Sequence, residues 1–178
     1  MVPQHYKRFI HRTIKMAMTC IVLTSGAGFL SRELTHTVGE DLERLDPGTR
    51  WGFVYPFALL HGHVFLTGVA LPLVLAGSLV LARISGGTIV SPSTLQWGWT
   101  CLLIGVVSSL LLLLAKSQLL LNSLDNCAPK CDPYSLVLSV WVSPLRAILY
   151  AGAHGSLAVG SSIIAVAIGQ SLPNINNV

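Results

Sequence analysis

Apolar residues in this chain neither alternate with polar ones nor line one face of an otherwise polar helix. They fall into four long blocks, near residues 14–31, 54–82, 96–121 and 144–170, with polar connections between them. Crossing about 30 Å of hydrocarbon takes roughly 20 helical residues, and the blocks are about that long or longer. Lipid offers the backbone no hydrogen-bond partner, so a segment of that length must satisfy its own amides, and helix is the structure that does so. The pattern predicts an all-α protein, an integral membrane four-helix bundle spanning residues 14–170. A basic tail (1–13) precedes it and a polar tail (171–178) follows.

Turn-forming residues punctuate the blocks. Asp46-Pro47-Gly48 marks a turn late in the polar first loop. Pro56 suits a first helical turn, whereas Pro72 falls inside the second block, where it should kink the helix and release the carbonyl of Gly68. Pro92 opens the third block, and Trp97 and Trp99 belong at a membrane–water interface. Residues 134–143 read as a short interfacial helix or turn before Pro144.

Composition agrees with this partition. Of 178 residues, 52% are hydrophobic and 10% charged, against about 25% charged in soluble domains, too few to clothe a water-facing surface. The net charge of +4 comes largely from Lys7, Arg8, Arg12 and Lys15. It suits an anionic inner leaflet and not a nucleic acid. The same cations should hold both termini on the cytoplasmic or matrix side, N-in and C-in. The expected location is a bacterial cytoplasmic membrane or the mitochondrial inner membrane. The first block reads as an uncleaved signal anchor, because Ser25-Gly26-Ala27-Gly28 runs on into Phe29, Leu30 and Arg32-Glu33 instead of ending at a cleavage site.

Cys20 and Cys101 lie inside apolar blocks and should behave as small hydrophobes. Cys127 and Cys131 flank Ala-Pro-Lys in the third loop, on the expected outer side, where a disulfide is the natural reading and zinc is not. The chain has no nucleophile motif, Gly-rich phosphate loop or metal-spaced acid cluster, so an enzyme acting alone is not expected.

The chemistry concentrates at one depth. At about 1.5 Å per residue, Arg32 lies about 25 Å beyond Lys15 and His63 about 30 Å from Arg83; Lys116 lies about 30 Å past Gln96 and His154 about 24 Å before Gln170. Each block therefore brings an ionisable side chain to a common layer in the outer part of the membrane, with His61 slightly further out and Arg146 at the outer interface. Ala147, Ala151, Ala158, Ser161 and Ala165 share a helical face with His154, a small-residue stripe that predicts helix–helix contact. Lys116 shares its face with Gly105, Ser109 and Leu112, and Arg32 continues a face of Gly28 and Ser25. His61 and His63 stand about 200° apart on their helix, and the sequence does not choose which one faces the interior.

Three readings fit that layer. In the first it is structural, with histidines and cations bridging helices or holding a subunit contact. In the second, His61 or His63 and His154 are the two axial ligands of a haem b, whose propionates face Arg32, Lys116 or Arg146. In the third the same cations hold an anion or a quinone head group. No Asp or Glu lies inside any of the four blocks, which leaves a carboxylate proton relay without support.

Three runs carry a resemblance: Gly26-Ala-Gly-Phe-Leu-Ser-Arg32-Glu33, Leu60-His61-Gly62-His63 through Gly68, and Ala151-Gly152-Ala153-His154-Gly155. Together they resemble an uncharacterised family of small four-span bacterial membrane proteins, a domain of unknown function. The likeness covers roughly residues 14–170, and the Cys127–Cys131 loop departs from it. It implies the four-span fold and the histidine layer, and no activity. The His-x-His also looks like the histidine-bearing helices of haem-copper oxidase-related membrane proteins, including nitric-oxide-response proteins that bind haem. With the matching depth of His61 or His63 and His154, the expectation is a haem-binding or redox-associated accessory subunit of a respiratory complex, contacting lipid and other membrane subunits or a second copy of itself, with a purely structural subunit or an anion or quinone binder as the alternatives.

Overall fold

The computed structural model describes residues 2–37, 61–125 and 144–173. The Cys127–Cys131 pair, the turn at 46–48, Pro56 and the segment 134–143 lie outside the described residues. Four long helices make up the described fold: α1 (Gln4–Thr37), α2 (His61–Ile84), α3 (Pro92–Asp125) and α4 (Pro144–Ser171). Among the described residues, α2, α3 up to Leu119 and α4 are long and apolar enough to cross a membrane. Their outward faces carry exposed Val74, Leu81, Leu111, Ile148 and Val166, which suits lipid and not water.

Helix α1 starts ten residues before the apolar block expected at 14, so the basic segment is helical. Tyr6, Phe9, Thr13, Ala17, Cys20 and Thr24 are buried at three- and four-residue spacing, a single stripe that runs through both the basic and the apolar halves. Lys7, Arg8, His11, Arg12 and Lys15 keep to the exposed side. The stripe is anchored where Phe9 meets the edge of Trp99, ring centroids 5.9 Å apart. Trp97 remains exposed while Trp99 is buried, so the paired tryptophans divide between surface and interior.

One end of the bundle is built from hydrogen bonds between distant parts of the chain. Helix α2 closes in a Schellman motif: Gly86, at φ +87°, donates to the Arg83 carbonyl and Gly87 to that of Ala82. Ser91 then caps α3, its hydroxyl accepting from the Thr94 amide, and Pro92 occupies the first helical position. Between the two, Thr88 donates to the Ser171 carbonyl at the end of α4 (2.7 Å). Val90 donates to the Tyr6 hydroxyl (2.9 Å) and accepts from the His5 ring (3.0 Å). The start of α1, the α2–α3 turn and the end of α4 thus lie together at one end.

Helices α3 and α4 pack most closely, and three glycines let them. A Cβ on Gly105 would fall 2.5 Å from the Leu157 backbone nitrogen, and one on Gly98 2.6 Å from Ile164 Cγ1. One on Gly160 would fall 2.7 Å from the Gly98 carbonyl oxygen and 2.9 Å from Leu102 Cα. Lipid supplies no hydrophobic drive between helices, so backbone approach at small residues is the main source of such association. Across the bundle, Gly68 of α2 gives the same kind of access to Cys20 of α1.

Helix α2 carries a π-turn over Leu66–Ala70, closed by the Leu71 amide donating to the Leu66 carbonyl. Pro72 follows at once and is fully buried. The ring of Pro72 would clash with the Gly68 carbonyl in a regular helix, and the widened turn is how the chain absorbs it. The disturbance expected at Gly68 is therefore a π-turn.

Candidate functional site

Helix α2 presents its two histidines to different neighbours. The His61 Nδ1–H donates to the Thr24 carbonyl of α1 at 3.0 Å, with Gly28 beneath the ring. His63 turns the other way, to α4, where its ring centroid is 5.6 Å from that of His154. Two positions about 200° apart on a helix can serve both neighbours, so the histidines have separate roles. The π-turn lies directly beneath them, and Thr67 on its first turn donates back to the His63 carbonyl at 2.7 Å.

Tautomers follow from these bonds. A carbonyl only accepts, so His61 carries its proton on Nδ1 when neutral, which leaves the lone pair on Nε2. The same holds for His154, whose Nδ1–H donates to the Tyr150 carbonyl at 2.9 Å. Backbone carbonyls often fix metal-binding imidazoles in this way. His63 complements the arrangement: its Nε2 is buried and has no hydrogen-bond partner. Leaving such an atom unpaired costs about 1–3 kcal/mol, so a ligand that engaged it would recover that cost.

The cations gather beside the histidines. Lys116 of α3 is half-buried and close enough to Arg146 of α4 for the two to repel each other. Arg146 lies over the Tyr150 ring, 5.8 Å to its centroid, and Tyr150 stacks on His154 at 5.9 Å. An order thus runs along the outer part of α4: Arg146, Tyr150, His154, each one turn from the next. Arg32 is exposed near the end of α1. The inner neighbours Ser109 and Thr24 add buried hydroxyls without partners, although Thr13, Ser117 and Ser161 all donate to a carbonyl within their own helix.

The expected small-residue stripe on α4 is on the wrong side for helix contact. Ala147, Ala151, His154, Ala158 and Ala165 are exposed and Ser161 is half-buried, whereas Leu157, Gly160 and Ile164 meet α3, with Ala153 and Ile168 buried on neighbouring turns. Both faces are rich in small residues. The one that contains Gly160 wins because a glycine there admits the α3 backbone at Leu102, which an alanine would exclude. His154 consequently reaches His63 from the rim of the bundle. The face expected for Lys116 does match, with Gly105 and Ser109 buried on α3.

No family model matches the chain, and neither does a curated protein or a solved structure. Function has to be read from the geometry. Among the described residues no three His, Cys, Asp or Glu side chains converge as a metal site would require. The chemistry available at this layer is therefore that of two imidazoles with two cations and a phenol close by. Tyr150 is the member that sequence reasoning missed. Its signal was present in the four-residue spacing Arg146, Tyr150, His154.

Proposed function

We propose that the chain is a four-span membrane protein, N-in and C-in, that holds haem b between α2 and α4 and serves as a redox-associated subunit of a respiratory membrane complex. One observation carries the reading: the buried, unpartnered Nε2 of His63 beside the ring of His154. The two ring centroids stand 5.6 Å apart, which would bring both imidazoles within reach of one iron.

His63 and His154 would hold the haem iron, and Lys116 and Arg146 would pair with the haem carboxylates, which need cations in a low-dielectric setting. Haem, when bound, supplies one-electron transfer. The Tyr150 carbonyl holds the His154 ring in the ligating tautomer, and the Tyr150 ring fixes its plane by stacking. The Thr67 bond to the His63 carbonyl steadies the outer end of α2 where the π-turn widens it.

The test is a pair of absorption spectra, oxidised and dithionite-reduced, of the chain purified in detergent from cells supplied with haem. A Soret band with sharp reduced α and β bands, lost in His63→Ala and His154→Ala while the helices still insert, is the expected result. A colourless protein of native assembly state would remove the haem. The Lys116–Arg146 pair favours one further reading, an anion or quinone head group in the same place. A colourless protein that binds a quinone analogue only with Lys116 present would establish it.

A further inference from the structure

A second site lies at the opposite end of the bundle, where α1 crosses the start of α3. A cleft of about 250 Å³ opens there. Its floor is apolar, formed by the buried rings of Phe9 and Trp99, and its rim carries Arg8, Arg12, His5 and Gln96. Arg8 and Arg12 are one helical turn apart, so both guanidinium groups address the same opening, an arrangement of like charges that destabilises a helix unless an anion sits between them. The acids among the described residues, Glu33 and Asp125, belong to the far end of the bundle. His5 is held in place by its bond to the Val90 carbonyl.

Two further features add positive potential to the cleft. Helix α1 begins at Gln4 and α3 at Pro92, and both residues line it, so two helix N-termini converge with the two arginines. The cleft also lies at the start of the apolar span that opens at Pro92, beside the exposed Trp97, where phospholipid headgroups would be met. A cationic rim over an aromatic floor matches the two parts of a phospholipid at that depth, phosphate outside and glycerol with its first acyl carbons inside.

We infer that this cleft binds the phosphate of an anionic phospholipid, with Arg8 and Arg12 as its clamp. Arginine is suited to this because its planar fork gives two parallel hydrogen bonds to phosphate oxygens. Lys7 and Lys15 share the helix but lie outside the cleft, so they feel the membrane charge without taking part in the site.

The experiment uses the full chain in nanodiscs of mixed phosphatidylglycerol and phosphatidylcholine, with lipid adducts counted by native mass spectrometry. A surface cation is worth roughly fivefold in affinity for anionic lipid, so losing two amounts to roughly thirtyfold. That roughly thirtyfold loss is the diffuse field alone, so K7Q/K15Q should lose no more than it, R8Q/R12Q should lose clearly more, and R8K/R12K should recover much of the difference. Equal losses in R8Q/R12Q and K7Q/K15Q would show only the diffuse surface field and overturn the site. Titration of inorganic phosphate in discs of pure phosphatidylcholine distinguishes the other source of the anion. Protection of the arginines by millimolar phosphate alone would assign the cleft to a free anion and overturn the lipid.

Discussion

Gly160→Ala is the perturbation with the sharpest consequence. The new Cβ would stand 2.7 Å from the Gly98 carbonyl oxygen and 2.9 Å from Leu102 Cα. Both are backbone atoms of α3, so no rotamer change relieves the contact and the helices must part by roughly 0.5–1 Å. A gap of that size forfeits about a quarter to a half of each dispersion contact along the seam, and overpacking of this kind costs about 1–3 kcal/mol. At about 2 kcal/mol the ratio of folded to unfolded chains falls roughly thirtyfold. Gly152 and Gly155 lie on the same helix with nothing within 4 Å of an added Cβ. Alanine there gains helix propensity, up to about 1 kcal/mol, so the sign should reverse. Denaturation by SDS in mixed micelles, followed by the helical circular dichroism signal, measures the three variants side by side. Equal effects of Gly160→Ala and Gly155→Ala would refute the claim that glycine contact sets the α3–α4 seam.

Three other outcomes follow from single contacts. Tyr6→Phe removes the oxygen that accepts from the buried Val90 amide, and should cost about 1–3 kcal/mol with faster hydrogen exchange at Val90; unchanged exchange would place that bond outside the stability of this end. Gly68→Ala drives a Cβ to 2.5 Å from Cys20 Sγ, and Cys20→Gly should rescue it, with a coupling of about 0.5–3 kcal/mol in a double-mutant cycle; additive losses would disprove the contact. His61→Ala loses its bond to Thr24 for about 0.5–1.5 kcal/mol and should leave any haem spectrum intact. A spectrum abolished by His61→Ala and spared by His63→Ala would exchange the roles of the two histidines.

Much of this was legible in the sequence because the membrane imposes strong local rules. Span lengths gave α3 and α4 closely, Pro92 marked the start of α3 and Pro72 the disturbed turn of α2. Depth arithmetic brought His63 and His154 to one level, since rise per residue does not depend on neighbours. Facing was harder. On α4 two faces carry small residues, and only the position of Leu102 on another helix decides between them. The start of α1 was missed for a similar reason: Tyr6 and Phe9 are buried by Trp99 and the 88–90 connection, which no property local to residues 1–13 reveals. His61 and His63 could not be ranked because both are used, one toward each neighbour.

The widened turn at Leu66–Ala70 has a bearing on how α2 tolerates change in length. One residue corresponds to about 100° of rotation, and this turn takes up one residue beyond the regular count, acting as a phase adjuster between the two ends of the helix. Val64 and Val69, five apart and both buried, are in step only because of it. Deleting one residue within 66–70 would therefore keep His61 and His63 aimed at α1 and α4, at the cost of bringing the Pro72 ring against the carbonyl four residues before it. The same deletion between residues 73 and 82 would swing both histidines about 100° away from their partners. In evolutionary terms this turn is where the loss of a residue leaves the far end pointing the same way.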